Sequence, residues 1–298
     1  MRATTGALVT TVATALVTAL LLLVAPSSVG IAAATPLPAK DGGGYYLALG
    51  DSLAAGYLHG TGDHRTDGYV GPVLSALQAR APQTQLVNLA CSGETTTTLL
   101  KGGICSYEAG SQLAQAVTFL RDHAGSTRLV TLDIGGNDVA FCGAILLPAV
   151  CTDPALATLR TNLGTVLETL RAAAGPTVQI VVLNYYDPFL VYWLRLGADQ
   201  PIFRDAALTS VRLLAGAGGV NEAIATASAA VSADVADVQG AFSTTAFAPT
   251  LPFPEHGDVP LNVIRICQWT TMCSALDFHT NPQGYAVLAG AVVARLRR

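Results

Sequence analysis

Five short apolar, β-branched runs recur along the chain, separated by stretches with helical spacing. They are Tyr45–Gly50, Gln85–Ala90, Arg128–Ile134, Val178–Asn184 and Ala233–Val238. The runs are largely continuous in apolar character rather than alternating, which is the pattern of strands buried on both faces of a parallel sheet. The fifth is interrupted by Asp234 and Asp237. Between the runs the spacing predicts helices over 70–80, 110–123 and 154–173, a long alanine-rich helical stretch over 203–232, and a last helix over 282–296. Pro282 suits the first turn of that last helix, and the Arg295-Leu-Arg-Arg end suits the negative pole of its dipole. Strand–helix alternation predicts an α/β fold of three layers (α/β/α) around a doubly wound, mostly parallel five-stranded sheet. No internal repeat or second domain is evident, and residues 252–258 read as a loop.

Residues 1–34 stand apart. Arg2 gives a short positive start, Ala7 to Pro26 is apolar apart from threonines, and Ala32-Ala33-Ala34 offers a small-residue cleavage site. This reads as a secretory signal peptide followed by a linker over 35–44 and one domain over 45–298. An uncleaved membrane anchor is the alternative, because the apolar stretch is long enough to span. Net charge is −4 without a Lys/Arg run, which argues against nucleic acid as a partner. Six cysteines in an exported chain read as three disulfides. Sequence alone does not choose among the pairings, although closeness favours Cys91–Cys105, Cys142–Cys151 and Cys267–Cys273. With no Cys-x-x-Cys pair and no histidine beside the cysteines, a zinc site is not expected.

The chemistry gathers around Gly50-Asp51-Ser52-Leu53-Ala54-Ala55-Gly56, directly after the first strand. A serine at the carboxyl end of a buried strand lies where open α/β sheets bind ligands. Gly93 follows the second strand, Gly135-Gly136-Asn137-Asp138 follows the third, and Asp277-Phe278-His279 precedes the last helix. This ordered set resembles the SGNH (GDSL) hydrolase superfamily, named for its Ser, Gly, Asn and His blocks, over roughly residues 45–296. The resemblance implies a flavodoxin-like hydrolase fold and a secreted serine esterase or lipase, a type in which three-disulfide arrangements recur. It implies Ser52 as nucleophile and His279 as base, with an oxyanion hole built from the backbone N–H of Ser52 and Gly93 and the Asn137 amide. Such chemistry needs no metal or organic cofactor. Asp51 and Asp138 read as residues that brace their loops. Among the other histidines, His59 and His64 follow the nucleophile block and read as loop residues able to line the pocket, His123 ends a helix, and His256, in a polar loop, is the second candidate for the base.

In one place the chain departs from the superfamily pattern. The acid usually stands three residues before the histidine, where this chain has Leu276, and the proline usual after the histidine is Thr280. Asp277, two residues before, shares a face with His279 in an extended segment and is one candidate to orient it. The main-chain carbonyl of Leu276 is the other. The aromatic segment 184–194 reads either as an acyl-binding wall or as a cap on the core. The superfamily includes lipases, phospholipases, thioesterases and carbohydrate acetylesterases. Export argues against an acyl-CoA substrate, and the apolar segment favours acyl esters over acetylated sugars. The expected partner is therefore a small-molecule or lipid ester, met by a monomer that touches a lipid surface at most transiently. An acyltransferase using the same acyl-enzyme, a catalytically silent exported lipid- or cell-surface-binding protein, and a membrane-anchored structural protein are the alternatives.

Overall fold

The computed structural model describes residues 43–144, 148–194 and 201–297; the side chains of 141–151 and 201 lie outside that description. In chain order the elements are β1 (Tyr45–Gly50), α1 (Val70–Gln78), β2 (Gln85–Asn88), α2 (Thr96–Lys101), α3 (Gln112–Asp122), β3 (Thr127–Asp133), α4 (Gly136–Ala144), α5 (Pro148–Ala174) and β4 (Gln179–Leu183). A 3₁₀ helix (Pro188–Leu194) follows, then α6 (Pro201–Ala215), α7 (Val220–Ala230), β5 (Asp234–Ala236), α8 (Val238–Ala241), β6 (Thr250–Phe253), β7 (Gly257–Pro260), α9 (Leu261–Trp269), α10 (Met272–Ala275) and α11 (Pro282–Val293).

Strands β1 to β5 form one parallel sheet in the order β2-β1-β3-β4-β5. In a doubly wound sheet of this order, ligands bind outside the carboxyl ends of β1 and β3, where the strand order reverses. Every residue of β4, and all but the first of β1, is buried, as two-sided helix cover requires. Helix α5 shows why the chain packs this way. Leu156, Leu159, Leu163, Val166, Leu167 and Leu170 recur at helical spacing and are buried. Each such side chain contributes roughly 1.5–3 kcal/mol on leaving water. Helices α3, α4 and α7 pack beside α5, and α1 packs beside α11.

All five predicted strands form, the first over its predicted range and the others with ends shifted by at most two residues. β5 is short because Asp237 leaves the strand to cap α8, its side chain accepting from Gly240 N–H. The predicted 203–232 helix is two helices: the chain breaks around Gly218, whose φ of +75° no α-helix accommodates. Helix α5 begins six residues earlier than its predicted start and carries Pro154 within it. The segment read as a loop at 252–258 is the antiparallel hairpin β6–β7, turned through Glu255 and Gly257 at positive φ. Disulfides Cys91–Cys105 and Cys267–Cys273 are formed. The expected Cys142–Cys151 pair lies outside the described side chains, and the expected leader (1–34) and most of the expected linker (35–44) lie outside the described residues. Among the described residues no helix is long and apolar enough to cross a membrane.

Candidate active site

β1 ends on Gly50 at φ +132°, where a Cβ would sit 2.1 Å from the Asp133 carbonyl oxygen. Only glycine fits that approach of backbones, and it aims the next turn at the sheet edge. Ser52 follows on this turn, 5% exposed. Two buried carboxyls hold the turn from below. Asp51 Oδ1 accepts from Leu53 N–H at 3.0 Å and Asp51 Oδ2 from the Tyr185 hydroxyl at 2.7 Å. Asp133 Oδ1 accepts from the Tyr69 hydroxyl at 2.6 Å, and its Oδ2 from Ala54 N–H at 3.2 Å. Burial raises the pKa of both acids; the Asp51 charge raises that of Asp133 further. Burial, and then the adjacent carboxyl charge, keep Tyr69 and Tyr185 as neutral donors.

His279 arrives from the other end of the chain. Cys267–Cys273 ties α9 to α10, and α10 ends on Leu276 in the left-handed region (φ +55°). That turn sends 277–279 back alongside Thr271, which donates its N–H to the His279 carbonyl at 3.0 Å and its hydroxyl to the Asp277 carbonyl at 3.2 Å. Asn281 then caps α11, accepting from Gly284 N–H, with Pro282 in the first turn. His279 Nε2 lies 2.9 Å from Ser52 Oγ, and His279 Nδ1 lies 2.6 Å from Asp277 Oδ1. Of the two orienting groups the sequence leaves open, the side chain of Asp277 is the one in contact with the ring. Asp277 Oδ1 also accepts the His279 backbone N–H at 2.9 Å, and Asp277 Oδ2 lies 3.0 Å from His59 Nδ1. Burial works to raise the Asp277 pKa, but the His279 backbone N–H and the two imidazoles outweigh it and hold the group below its ordinary value. A carboxylate only accepts, so both Nδ1 atoms carry their hydrogens toward it and His279 Nε2 faces the serine as an acceptor. Nε2 is thereby placed to take the hydroxyl proton. The Tyr57 ring packs on His279 at 4.2 Å between centroids.

The other two blocks meet through Asn137 and Glu94, and Asn137 lines the same cleft as Ser52. Gly93 stands at φ +85°, and Cys91–Cys105 pins its loop. Among the described residues, the backbone N–H groups of Ser52 and Gly93 donate to no protein acceptor. Asn137 donates one amide hydrogen to the Glu94 carbonyl at 2.9 Å, which fixes its plane and leaves the second hydrogen for a ligand. Asp138 links the two loops by accepting from both the backbone N–H and the hydroxyl of Thr96 at the start of α2. Glu94 is buried, and neither of its carboxyl oxygens has a hydrogen-bond partner among the described residues. Burial pushes its carboxyl up to about 7.

A cleft enclosing about 660 Å³, its open mouth included, runs from Ser52, Asn137 and His279 between Leu53, Val139, Tyr185, Tyr186, Phe189, Leu213, Leu214 and Phe278. The segment 184–194 divides between cleft and core. Tyr185, Tyr186 and Phe189 line the cleft, while Leu190 and Val191 are buried in the core. Asp187 also lines the cleft, buried, accepting from the Ser210 hydroxyl at 2.6 Å and Phe189 N–H at 2.9 Å. Burial pushes its carboxyl up to about 6, with those two donors pulling the other way.

Sequence reasoning missed Tyr57, the contact of His59 with Asp277, Tyr69, Asp133 and Asp187. Only the position of His59 just after the nucleophile block hinted at proximity. His64 bonds to Thr61, His123 stacks on Phe119, and His256 lies in the β6–β7 turn. Among the described residues no group of three or more His, Cys, Asp or Glu is placed to hold a metal ion.

The fold matches solved structures of distant sequence. A point mutant of an acetyl-xylooligosaccharide esterase from Geobacillus stearothermophilus is 17% identical, over 88% of this chain and 97% of that one, at a TM-score of 0.50. An extracellular lipase from Streptomyces rimosus is 23% identical, over 84% of this chain and 98% of that one, at the same TM-score. No curated protein matches the sequence. The model of the GDSL-like lipase/acylhydrolase family matches residues 48–287, a span that holds Ser52, Gly93, Asn137 and His279 in order, and the chain therefore belongs to that family.

Proposed function

We propose that this carboxylic ester hydrolase cleaves acyl esters through a covalent Ser52 acyl-enzyme. Ser52 Oγ attacks the ester carbonyl while His279 Nε2 takes the hydroxyl proton, and Asp277 stabilises the imidazolium that results. The tetrahedral oxyanion lies against the N–H groups of Ser52 and Gly93 and the free hydrogen of the Asn137 amide. The C–O bond to the alcohol breaks, and His279 returns the proton to the departing oxygen. Water, deprotonated by His279, then attacks the acyl-enzyme, and collapse releases the acid and restores Ser52.

The observation that carries this reading is the unbroken line Ser52 Oγ–His279 Nε2 and His279 Nδ1–Asp277 Oδ1, at 2.9 and 2.6 Å, with Ser52 and His279 lining an apolar cleft. The cleft lining supports acyl chains rather than acetylated sugars as the preferred acyl donors. Two disulfides, together with the leader-like residues 1–34, support an exported protein.

Hydrolysis of p-nitrophenyl esters from acetate to palmitate by the oxidised protein, beside Ser52→Ala, tests the reading. Turnover that prefers chains longer than acetate and disappears in the variant is expected. Undiminished turnover in Ser52→Ala would exclude Ser52 as nucleophile.

A further inference from the structure

We propose that His59 is a second positioning residue: its imidazole holds the outer oxygen of Asp277 so that the inner oxygen stays on His279. The inference rests on the reading of Asp277 as the orienting acid and adds a residue to it. Its starting point is the displaced acid. Standing two residues before the histidine, Asp277 closes a local turn in which Oδ1 accepts both the backbone N–H and the ring Nδ1–H of His279, at 2.9 and 2.6 Å. One oxygen therefore takes both donors, and a partial rotation about the Cβ–Cγ bond would swing it away from both. His59 Nδ1, 3.0 Å from Oδ2, opposes that rotation. The carboxylate is gripped at both oxygens.

The loop that delivers His59 is built to hold it there. Leu58 and Gly62 exchange backbone hydrogen bonds at 2.9 Å in each direction, and Gly60 and Gly62 take positive φ values of +81° and +87°. These close a tight turn with His59 at its start. The same segment is anchored to the nucleophile, because Tyr57 N–H donates to the Ser52 carbonyl at 3.0 Å. Tyr285 fastens it to α11 by donating its hydroxyl to the Tyr57 carbonyl at 2.8 Å. One stretch, 52–62, thus carries the serine, the Tyr57 ring against His279, and the donor to Asp277. The His59 side chain is 48% exposed, so water can replace part of what it supplies. Its contribution is accordingly smaller than that of Asp277.

The test uses the full oxidised protein with His59→Ala and His59→Asn, each in the wild-type and the Asp277→Asn backgrounds. Two quantities are read: kcat and KM on a p-nitrophenyl ester, and the low-field proton resonance of His279 Nδ1–H. His59→Ala is expected to lower kcat about three- to tenfold with KM within about twofold, the range of a half-exposed hydrogen bond to a charged group. It should also broaden the resonance. His59→Asn, whose amide nitrogen reaches the Nδ1 position, should retain most of kcat. In Asp277→Asn, His59→Ala should cost nothing further, because the two changes act on one contact. A wild-type kcat with an unchanged resonance in His59→Ala, or an equal loss in both backgrounds, would overturn the proposal. If no Ser52-dependent turnover is found on any ester, the assigned reaction fails. The resonance then decides His59 alone: broadening in His59→Ala supports the clamp, and an unchanged line refutes it.

Discussion

Replacing Asp277 with asparagine separates charge from geometry at the His279 ring. The His279 backbone N–H points at Oδ1 from 2.9 Å, so the asparagine places its carbonyl oxygen there and its NH₂ toward His59. The ring Nδ1–H keeps an acceptor, the tautomer is preserved, and His279 Nε2 still faces Ser52. What is lost is the negative charge beside the imidazolium formed during attack. Charge centres roughly 4 Å apart at an effective dielectric constant near 20 interact by about 4 kcal/mol. Part of this is returned by the amide dipole, which leaves a loss of about 3–4 kcal/mol, or roughly 10²–10³ in kcat. Because the ring does not turn over, the loss stays below the ~10⁴ seen when the tautomer is wrong. Asp277→Ala, which also removes the acceptor, should fall below Asp277→Asn. Steady-state kinetics on one p-nitrophenyl ester, with KM followed separately and folding checked by circular dichroism, provides the measurement. A loss under about fivefold in Asp277→Asn would refute the electrostatic argument. Equal rates for the asparagine and alanine variants would refute the tautomer argument.

Further predictions concern the oxyanion donors and the cleft. Asn137→Ala should lower kcat by about 10²–10³ with little change in KM, because the donor meets charge that exists only in the transition state; a loss confined to KM would place Asn137 in ground-state binding instead. Asp187 has a pKa raised by burial from 3.8 to about 6, so between those values the folded state holds a proton the unfolded chain has lost. Wild-type stability therefore falls as pH rises through that window, by about 3 kcal/mol at 1.36 kcal/mol per pH unit. Asp187→Asn removes this dependence, so its stability relative to wild type should improve by about 3 kcal/mol between pH 3.5 and 7.5 in urea unfolding. A difference that stays flat with pH would show that Asp187 titrates normally.

Much of the architecture is legible in local patterns. The apolar runs at 45–50, 127–133 and 179–183 become strands because largely continuous apolar character leaves them almost no solvent face, while the run at 85–88 forms a partly exposed edge strand. The boundaries that fail do so for specific local reasons. Gly218 divides a helix that alanine content alone would continue. Glu255 and Gly257 turn a proline-bearing segment into a hairpin through positive φ values that composition does not display.

At the site the division follows sequence distance. Residue order along the chain is enough to show that Ser52, Gly93 and Asn137 follow successive strands of one parallel sheet, and so share its carboxyl edge, because strand direction and βαβ connection dictate it. It also placed Asp277 and His279 on one side of an extended segment, because alternation along such a segment is local. It did not choose between the Asp277 side chain and the Leu276 carbonyl. That choice turns on the left-handed Leu276 and the bonds from Thr271, which point the carboxylate at the ring. Only the tertiary structure set Asp133 beside Asp51, 82 positions apart, and His59 on Asp277, 218 positions apart. Periodicity and turn chemistry report on residues a few positions apart. Contacts between remote carboxyls and imidazoles are decided by how the loops close over the sheet edge, and that closure comes from packing the whole chain.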